Sequence, residues 1–474
     1  MRMQGYRKEH DFLGEKQVEA GSYYGVQTLR AVENFPIMGV PIHRQLIVSL
    51  AKVKKAAALA NMDIQLLKKE IGEAIVKAAD EVMAGKWIEA FIVDSIQGGA
   101  GTSINMNMNE VLANRALEWM GHQKGEYFHC NPNNHVNMSQ STNDTIPTAL
   151  RIAAYQLTQR LLQTMRSFHM TLLKKSRQFD SVIKMGRTHL QDAVPIRLGQ
   201  EFAAYAGFMS RNIERVDQAC RHLLTINMGA TAVGTGLNAG TAYMEKVTGY
   251  LQQLCGLPLK HAGDLVDATQ NTDAYVELSA ALKVTAVNLS KMCNDLRLMA
   301  SGPRAGLSEI FLPPRQPGSS IMPGKVNPVM LEVMNQIAFQ VMGNDHTICM
   351  ASEAGQFELN VMVPVISFNL LQSLDILNNG LCVLEKYAME GLEANMEQCK
   401  QYVSQSFGVI TALNPHLGYE TAAQIVKEAL KTGATVKEII LERQLLTEEE
   451  LTVILDPYQM TSPGIAGIQF LHNQ

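Results

Sequence analysis

Residues 147–172 read PTALRIAAYQLTQRLLQTMRSFHMTL and give the strongest indication of the fold. Its apolar residues recur in steps of three and four, a spacing that keeps them on one face of an α-helix. These residues are Leu150, Ala154, Leu157, Leu161, Met165, Phe168 and Leu172. The polar residues Arg151, Gln159 and Arg166 fall on the other faces. The stretch therefore predicts one amphipathic helix of roughly 30 Å or more.

Two other segments carry the same kind of apolar stripe. One comprises Leu198, Phe202, Tyr205, Met209, Ile213, Val216, Cys220 and Leu223, and the other comprises Leu282, Thr285, Leu289, Met292, Leu296 and Met299. Near-heptad stripes of this length are typical of helices packed side by side in a bundle. Because helices this long bury more than one stripe only when several chains share the bundle, the sequence also predicts an oligomer.

Composition narrows the class of protein. At 474 residues, the chain is long enough for two or three domains with a large core. The net charge of −4 gives no indication of a nucleic-acid or membrane-surface partner. No uninterrupted apolar stretch reaches membrane-spanning length, and the first residues, MRMQGYRKEHD, lack the apolar core of a signal peptide.

The cysteines and histidines indicate a cellular compartment and argue against a metal site. Seven cysteines are scattered without CxxC spacing, and their number is odd. This pattern predicts reduced thiols in a cytoplasmic protein rather than a disulfide framework or a zinc site. The 12 histidines form no HxxxH pair. We therefore expect no metal site built by the protein alone and no resident cofactor.

The helical pattern divides the chain into three predicted domains. Residues 1–140 form a mostly helical N-terminal domain, residues 141–395 form the central long-helix bundle, and residues 396–474 form a small C-terminal helical domain. In the last of these, Thr447 and Glu450 have the spacing of a capping box, and Leu446 and Leu451 have that of a hydrophobic staple. Alternating strand patterns are scarce, so the predicted fold class is all-α.

One loop at residues 318–328, GSSIMPGKVNP, has the composition of a chemical site. Its prolines exclude regular helix, and it can direct backbone N–H groups and the cation of Lys325 at one anionic point beside a serine hydroxyl. A Walker-type phosphate loop is an alternative, but the spacing is one residue too long and Val326 replaces the Ser or Thr that would hold magnesium. A solvated loop without chemistry is the other alternative.

Three more polar clusters interrupt the helical pattern. They are GGAGTSINMN at residues 98–107, NMSQSTND at residues 137–144 and GRTHLQD at residues 186–192. Each is predicted at a helix end, where backbone donors and hydroxyls suit small anions. Simpler interpretations stay open: a turn for the first cluster, an N-cap of the long helix for the second, and a structural role for His189 in the third.

Taken together and in this order, the four clusters resemble the aspartase/fumarase superfamily. The resemblance extends from DFLGEK at residues 11–16 to PGIAG at residues 463–467, and the loop at residues 318–328 is specific to the superfamily. Two segments are closer to the aspartases: QSTND at residues 140–144 and DATQNTD at residues 267–273. Asn131 also stands where fumarases usually carry a histidine.

The resemblance implies a fold and a reaction. The fold would be an all-α, three-domain fold with a long central helix bundle shared in a homotetramer, and each site would draw loops from three chains. The reaction would be the reversible deamination of L-aspartate to fumarate and ammonia, by anti elimination. Removal of the Cβ proton places two negative charges on the β-carboxylate as an aci-form, so the site must bind that dianion better than the ground state.

The resemblance also implies roles for individual residues at the reacting centre. Ser319, the first serine of the loop, would be the general base. Lys325 and Asn327 would hold the α-carboxylate, with Lys325 also close to the serine. His189 would lie beside the amino group, and Glu332 would orient His189.

The remaining substrate-binding residues come from the other clusters. Thr102, Ser141 and Thr142 would hold the β-carboxylate. Asn143 and Thr188 would contact the amino group together with the histidine. No cofactor is implied, and magnesium activation stays open because it varies among aspartases.

Two alternatives to an aspartase remain at this stage. One is a fumarase-type hydratase, which shares the loop at residues 318–328. The other is a structural or binding member of the superfamily that has lost catalysis, as in lens crystallins. One departure is also evident: Val363 in NVMVP stands where aspartases usually have a glutamate. The expected partners are L-aspartate or fumarate and further copies of the chain, with no nucleic acid and no membrane.

Overall fold

The computed structural model of the chain describes residues 5–471, most of which lie in α-helices. Up to residue 178 the elements are β1 (Tyr6–Asp11), β2 (Gly14–Glu19), α1 (Val26–Asn34), α2 (Arg44–Asp63), α3 (Lys69–Met83), α4 (Thr102–Trp119) and α5 (Thr142–Gln178). Next come β3 (Ile183–Thr188), β4 (Gln191–Arg197), α6 (Leu198–Cys220), β5 (Thr225–Ile226), α7 (Thr241–Cys255), β6 (Lys260–His261), α8 (Leu265–Gln270) and α9 (Asp273–Met299). The last are β7 (Ile310–Phe311), α10 (Val329–Glu353), α11 (Val363–Leu384), β8 (Glu393–Ala394), α12 (Met396–Gln405), α13 (Ile410–Leu417), α14 (Tyr419–Thr432), α15 (Val436–Glu442), α16 (Glu448–Ile454) and α17 (Pro457–Met460).

The three predicted long helices are confirmed. They are α5 with 37 residues, α6 with 23 and α9 with 27. Every apolar residue of the α5 and α9 stripes is buried. In the second stripe, Ile213 is half-buried and Leu223 lies in a 3₁₀ turn just after α6 ends. The helical class follows from these stripes, since each helix gains its stability by burying one apolar face.

The described chain forms two compact units, each assembled from three segments. The first comprises the described residues up to Gln163, together with Asn212–Val287 and Ile337–Asn378. The second comprises Thr164–Arg211, Asn288–Gln336 and the residues from Asn379 onward. The three-domain division drawn from the sequence remains a prediction.

Strands form four small two-stranded sheets among the described residues. The pairs β1–β2, β3–β4 and β7–β8 are antiparallel, and β5–β6 is parallel. The cluster at residues 186–192 lies in the β3–β4 hairpin, so its predicted position at a helix end is wrong. The chain reverses there because His189 and Leu190 both adopt positive φ, +56° and +59°, as the two central residues of a type I′ turn do.

The C-terminal helices are short and begin at well-formed caps. The predicted capping box is confirmed: Thr447 Oγ1 accepts from Glu450 N at 3.2 Å, and the Glu450 carboxylate accepts from Thr447 N at 2.7 Å. Leu451 is buried in a local apolar cluster, and Leu446 packs against that cluster. Among residues 5–471, no helix is long and apolar enough to span a membrane.

Candidate active site

In the first unit, Thr102 stands exposed at the start of α4. The chain enters the helix through Gly101, whose φ of +92° is unfavourable for other residues. A Cβ on that glycine would also lie 3.2 Å from the Ile146 side chain. The Thr102 hydroxyl donates to the Gly99 carbonyl at 2.8 Å, which closes the turn. The predicted turn and helix end are therefore both present.

The N-terminus of α5 carries the second cluster, and Ser141 caps that helix, which was one of the open interpretations of this cluster. Ser141 Oγ accepts from Asn143 N at 3.2 Å, and Asp144 Oδ1 accepts from Ser141 N at 2.9 Å. Pro147 has no N–H for the Asn143 carbonyl one turn earlier. The Asn227 side chain supplies the missing donor at 3.1 Å. Capping explains only part of the cluster, because its other side chains form contacts that do not cap the helix.

Thr142 and Asn143 are held by side chains and backbone of the same unit. The Thr142 side chain is buried, and its Oγ1 accepts from Asn105 Nδ2 at 3.2 Å. Since Asn105 lies in the first turn of α4, this bond joins the starts of α4 and α5. Asn143 Nδ2 donates to the Ala232 carbonyl at 2.6 Å. The first unit thus brings Thr102, Ser141, Thr142 and Asn143 to the N-termini of two helices, where partial positive charge favours an anion.

Two buried ionisable side chains, Lys54 and Asp144, belong to the same hydrogen-bonded region. Lys54 is fully buried, and its Nζ donates to Asn137 Oδ1 at 3.0 Å and Gln140 Oε1 at 2.9 Å. Asp144 is also fully buried, and its Oδ2 accepts from Gly229 N at 3.0 Å. Burial lowers the pKa of Lys54 to about 7, and burial raises the pKa of Asp144 to about 6. Each charge offsets part of this shift in the other.

In the second unit, two hydrogen bonds join the two ends of the loop at residues 318–328. Gly318 N donates to the Lys325 carbonyl at 2.7 Å, and Asn327 Nδ2 donates to the Gly318 carbonyl at 2.9 Å. A Cβ at Gly318 would lie only 2.7 Å from the Lys325 oxygen, so this position requires glycine.

The half-buried hydroxyl of Ser319 is the focus of that loop. Its Oγ accepts from Ile321 N at 3.2 Å and Met322 N at 3.1 Å. Gly318 N donates to the Lys325 carbonyl instead. Two backbone donors on one hydroxyl oxygen lower the energy of the corresponding oxyanion.

Three further predicted residues lie together in the second unit. Lys325, Asn327 and Glu332 line one cleft of about 920 Å³, which also contains Arg297. Lys325 is exposed, and Glu332 is half-buried in the first turn of α10. A cleft with two cationic side chains and an amide suits a carboxylate ligand.

Thr188 and His189 project from the tip of the β3–β4 hairpin, and both are exposed. Within residues 5–471 of one chain, His189 forms no hydrogen bond or ion pair with Glu332. If Glu332 orients His189, as the resemblance implies, the two residues must therefore come from different chains. Val363, the departure noted above, is buried and lines a small cavity with Asn143 and Arg151.

Sequence reasoning did not assign roles to the buried residues behind the first-unit cluster. Lys54 is the clearest of these. It follows Leu50 by four residues and Ala51 by three, so it falls on the buried face of α2. That spacing is a signal that could have identified it. In the described part of the chain, no cluster of three or more His, Cys, Asp or Glu side chains is arranged to hold a metal ion.

Comparisons with known families cover most of the chain. The family model described as Lyase matches residues 14–343, and the model described as Fumarase C C-terminus matches residues 409–462. The aspartate ammonia-lyase of Bacillus subtilis (strain 168) is 64% identical over 466 residues, which are 98% of this chain and 98% of that protein.

Solved structures agree with these sequence matches. The fumarate lyase:delta crystallin from Brucella melitensis, solved bound to cobalt, superposes with a TM-score of 0.94 at 47% identity, covering 97% of this chain and 100% of that one. A class II fumarase from Schistosoma mansoni superposes with a TM-score of 0.92 at 36% identity, again covering 97% and 100%. The predicted helical fold is therefore shared with both structures.

Proposed function

The chain belongs to the aspartate ammonia-lyase family of the aspartase/fumarase superfamily, and from this premise we propose that it converts L-aspartate reversibly to fumarate and ammonia. The observation that carries the proposal is the match at 64% identity, over nearly the full length of both chains, to a protein named for this reaction. The elimination breaks the Cα–N bond and removes a proton from Cβ on the opposite side.

We assign proton removal to Ser319. A serine is a poor base at its ordinary pKa, so its oxyanion must be stabilised. The N–H groups of Ile321 and Met322 already point at Oγ, and the cationic Lys325 belongs to the same loop. The prolines at the loop's ends and interior restrict its conformations, which limits the entropy lost when the loop orders around substrate.

The charge that develops on the β-carboxylate needs donors already in place. In the proposal, Thr102, Ser141 and Thr142 provide them. These residues stand at the N-termini of helices of 18 and 37 residues, whose free N–H groups and dipoles favour an anion. The backbone N–H groups at the two helix N-termini are fixed before reaction, whereas the Thr102 hydroxyl must turn from the Gly99 carbonyl to donate to the substrate.

The other end of the substrate is assigned to the remaining residues. Lys325 and Asn327 hold the α-carboxylate, which fits their place in one cleft with Arg297. Asn143, Thr188 and His189 surround the amino group as it leaves. The Asn143 carboxamide already donates to the Ala232 carbonyl, so its carbonyl oxygen is the atom that faces the ammonium in this proposal.

We further propose that the active species is a homotetramer in which each site combines loops from three chains. Apolar side chains on α10 support this assembly. Val333, Phe339 and Met350 are 37%, 61% and 60% exposed in one chain. Exposure of such apolar side chains on a long helix is unfavourable unless another helix covers them. The cytoplasm is the proposed compartment, in keeping with seven unpaired cysteines.

A substrate panel tests the proposed reaction. Purified protein is given L-aspartate, L-malate or argininosuccinate, and fumarate is followed by its ultraviolet absorbance. We expect fumarate from L-aspartate and negligible release from L-malate, because the site is assigned to an ammonium leaving group. Faster turnover of L-malate would identify a hydratase. No release from any of the three would indicate a member without catalysis.

A further inference from the structure

Four charged side chains form a cluster at the base of the β3–β4 hairpin, here called the neck cluster: the buried Lys184 and Glu309 and the half-buried Arg187 and Glu201. Arg187 Nη1 lies 2.8 Å from Glu309 Oε1. Lys184 Nζ lies 3.3 Å from Glu309 Oε2 and 3.0 Å from Glu201 Oε1. The Glu309 side chain is 0% exposed and that of Lys184 is 4% exposed. Two cations and two carboxylates balance one another when all are ionised.

Glu309 is the fixed member of this cluster. Its backbone N donates to the Met299 carbonyl at the end of α9, at 2.8 Å, and its carbonyl accepts from Asn395 N at 2.8 Å. Cys399 Sγ also donates to that carbonyl at 3.6 Å. Two parts of the second unit, the end of α9 and the start of α12, thus hold the backbone of Glu309. These bonds fix the backbone of Glu309, and its buried carboxylate contacts Arg187 and Lys184 of strand β3.

Arg187 connects Glu309 to the strand that leads to the hairpin tip. It lies two residues before His189, where the strand pairing shifts register after Met185. Gly186 makes the shift possible, because a Cβ there would lie 2.7 Å from the Val194 carbonyl oxygen. The guanidinium also lies over the Tyr402 ring, 5.6 Å from its centroid. The strand that leads into the turn is therefore held by its side chain as well as by its backbone.

We propose that Glu309 is a positioning residue for His189 and acts through Arg187. The inference rests on the proposed role of His189 beside the amino group. An exposed two-residue turn has few contacts of its own, so its tip is free to sample many orientations unless its base is fixed. A short charge-assisted bond to a buried carboxylate fixes direction as well as distance. Glu309 and Arg187 thereby hold the turn that carries the imidazole in one orientation, which an efficient site requires.

The test compares two carboxamide variants of the same cluster. Glu309→Gln removes the charge that holds Arg187, whereas Glu201→Gln changes the carboxylate that contacts Lys184 only and serves as the matched control. Three quantities are measured: kcat and KM for L-aspartate, hydrogen exchange of peptides covering residues 183–197, and the effect of each variant in a His189→Ala background. The measurements in the His189→Ala background use enough protein to resolve the low remaining rate of fumarate release.

The expected result is specific to Glu309. Glu309→Gln should lower kcat at least about tenfold with KM changed less than about threefold, and should speed exchange in the hairpin. In the His189→Ala background it should lower the residual rate less than about twofold, because residues that act through one another are not additive. Glu201→Gln should stay within about threefold of the parent in every measurement.

Two results would overturn the proposal. The first is equal behaviour of the two variants in rate and exchange. The second is a loss from Glu309→Gln that multiplies in full with that of His189→Ala, since Glu309 would then act elsewhere. If Glu309→Gln does not fold, Arg187→Lys keeps the charge balance but loses the planar fork, and the same comparisons apply. If the parent releases no fumarate, the proposed function fails, and the exchange data still decide whether Glu309 orders the hairpin.

Discussion

Replacing Lys54 by Met should destabilise the protein strongly, and more at alkaline pH than in acid. Met keeps most of the side-chain volume, so the change removes the amino group rather than the packing. It leaves Asn137 Oδ1 and Gln140 Oε1 without a donor. Each buried acceptor left without a donor costs about 1–3 kcal/mol, so the expected loss at about pH 8.5, where Lys54 is mostly neutral, is roughly 2–6 kcal/mol.

The pH dependence follows from the two pKa shifts. The pKa of Lys54 is lowered to about 7 from 10.5, so its contribution to stability is present above 10.5 and is lost as pH falls through 7. The pKa of Asp144 is raised to about 6 from 3.8, so its contribution is present below 3.8 and is lost as pH rises through 6. Without Lys54, the pKa of Asp144 should rise further. Both effects widen the gap between parent and variant as pH rises.

Urea unfolding at fixed protein concentration, followed by circular dichroism, measures this gap. At about pH 5 the cost should be smaller, because the parent then buries a charged Lys54 that the variant lacks. The matched control is Lys55→Met, which breaks a more accessible pair with Asp80 and should cost about 0–1 kcal/mol. Adding Asp144→Asn to Lys54→Met should recover part of the loss. A cost below about 1 kcal/mol at alkaline pH, or a larger cost in acid, would refute the reasoning.

Two other predictions concern the proposed site. Lys325→Ala should raise KM for L-aspartate and lower kcat together, because it removes a cation assigned both to the α-carboxylate and to the serine oxyanion; steady-state kinetics showing a loss in kcat alone would contradict the carboxylate role. Mixing Ser319→Ala with His189→Ala after dissociation and reassembly should restore some activity, because hybrid sites would receive both intact loops from different chains; a fully active monomer on a sizing column, or well-mixed hybrids that stay inactive, would contradict the shared site.

The helices of this protein could be predicted from the sequence because each depends on local periodicity. The stripe in residues 147–172 specifies α5, and Ser141 marks its start by the residue type that a cap requires. The capping box at Thr447 is predictable for the same reason, since both of its partners lie within one turn. Such features need only residues near one another along the chain.

The features that were missed depend on distant contacts or on unusual backbone conformations. The hairpin at His189 has no Gly or Asn in its two turn positions, so the sequence lacks the ordinary signal for a type I′ turn. The burial of Lys54 beside Asp144 joins residues far apart in sequence, and only its place on the buried face of α2 hints at it. The N–H groups that donate to Ser319 Oγ belong to Ile321 and Met322. Amino-acid composition gives no reason to expect these residues, rather than the neighbouring glycines, to supply them.

The most direct test of the central claim, that Ser319 takes the Cβ proton, is the rate of fumarate and ammonia release from L-aspartate by Ser319→Ala and by its neighbour Ser320→Ala. The parent should release the two products in equal amounts. Ser319→Ala should be at least about a thousandfold slower while keeping its folding and assembly, since about 4 kcal/mol of barrier corresponds to that factor. Ser320→Ala should stay within about threefold of the parent. Activity of Ser319→Ala within about tenfold of the parent, or about 1.4 kcal/mol, would mean that another group is the base.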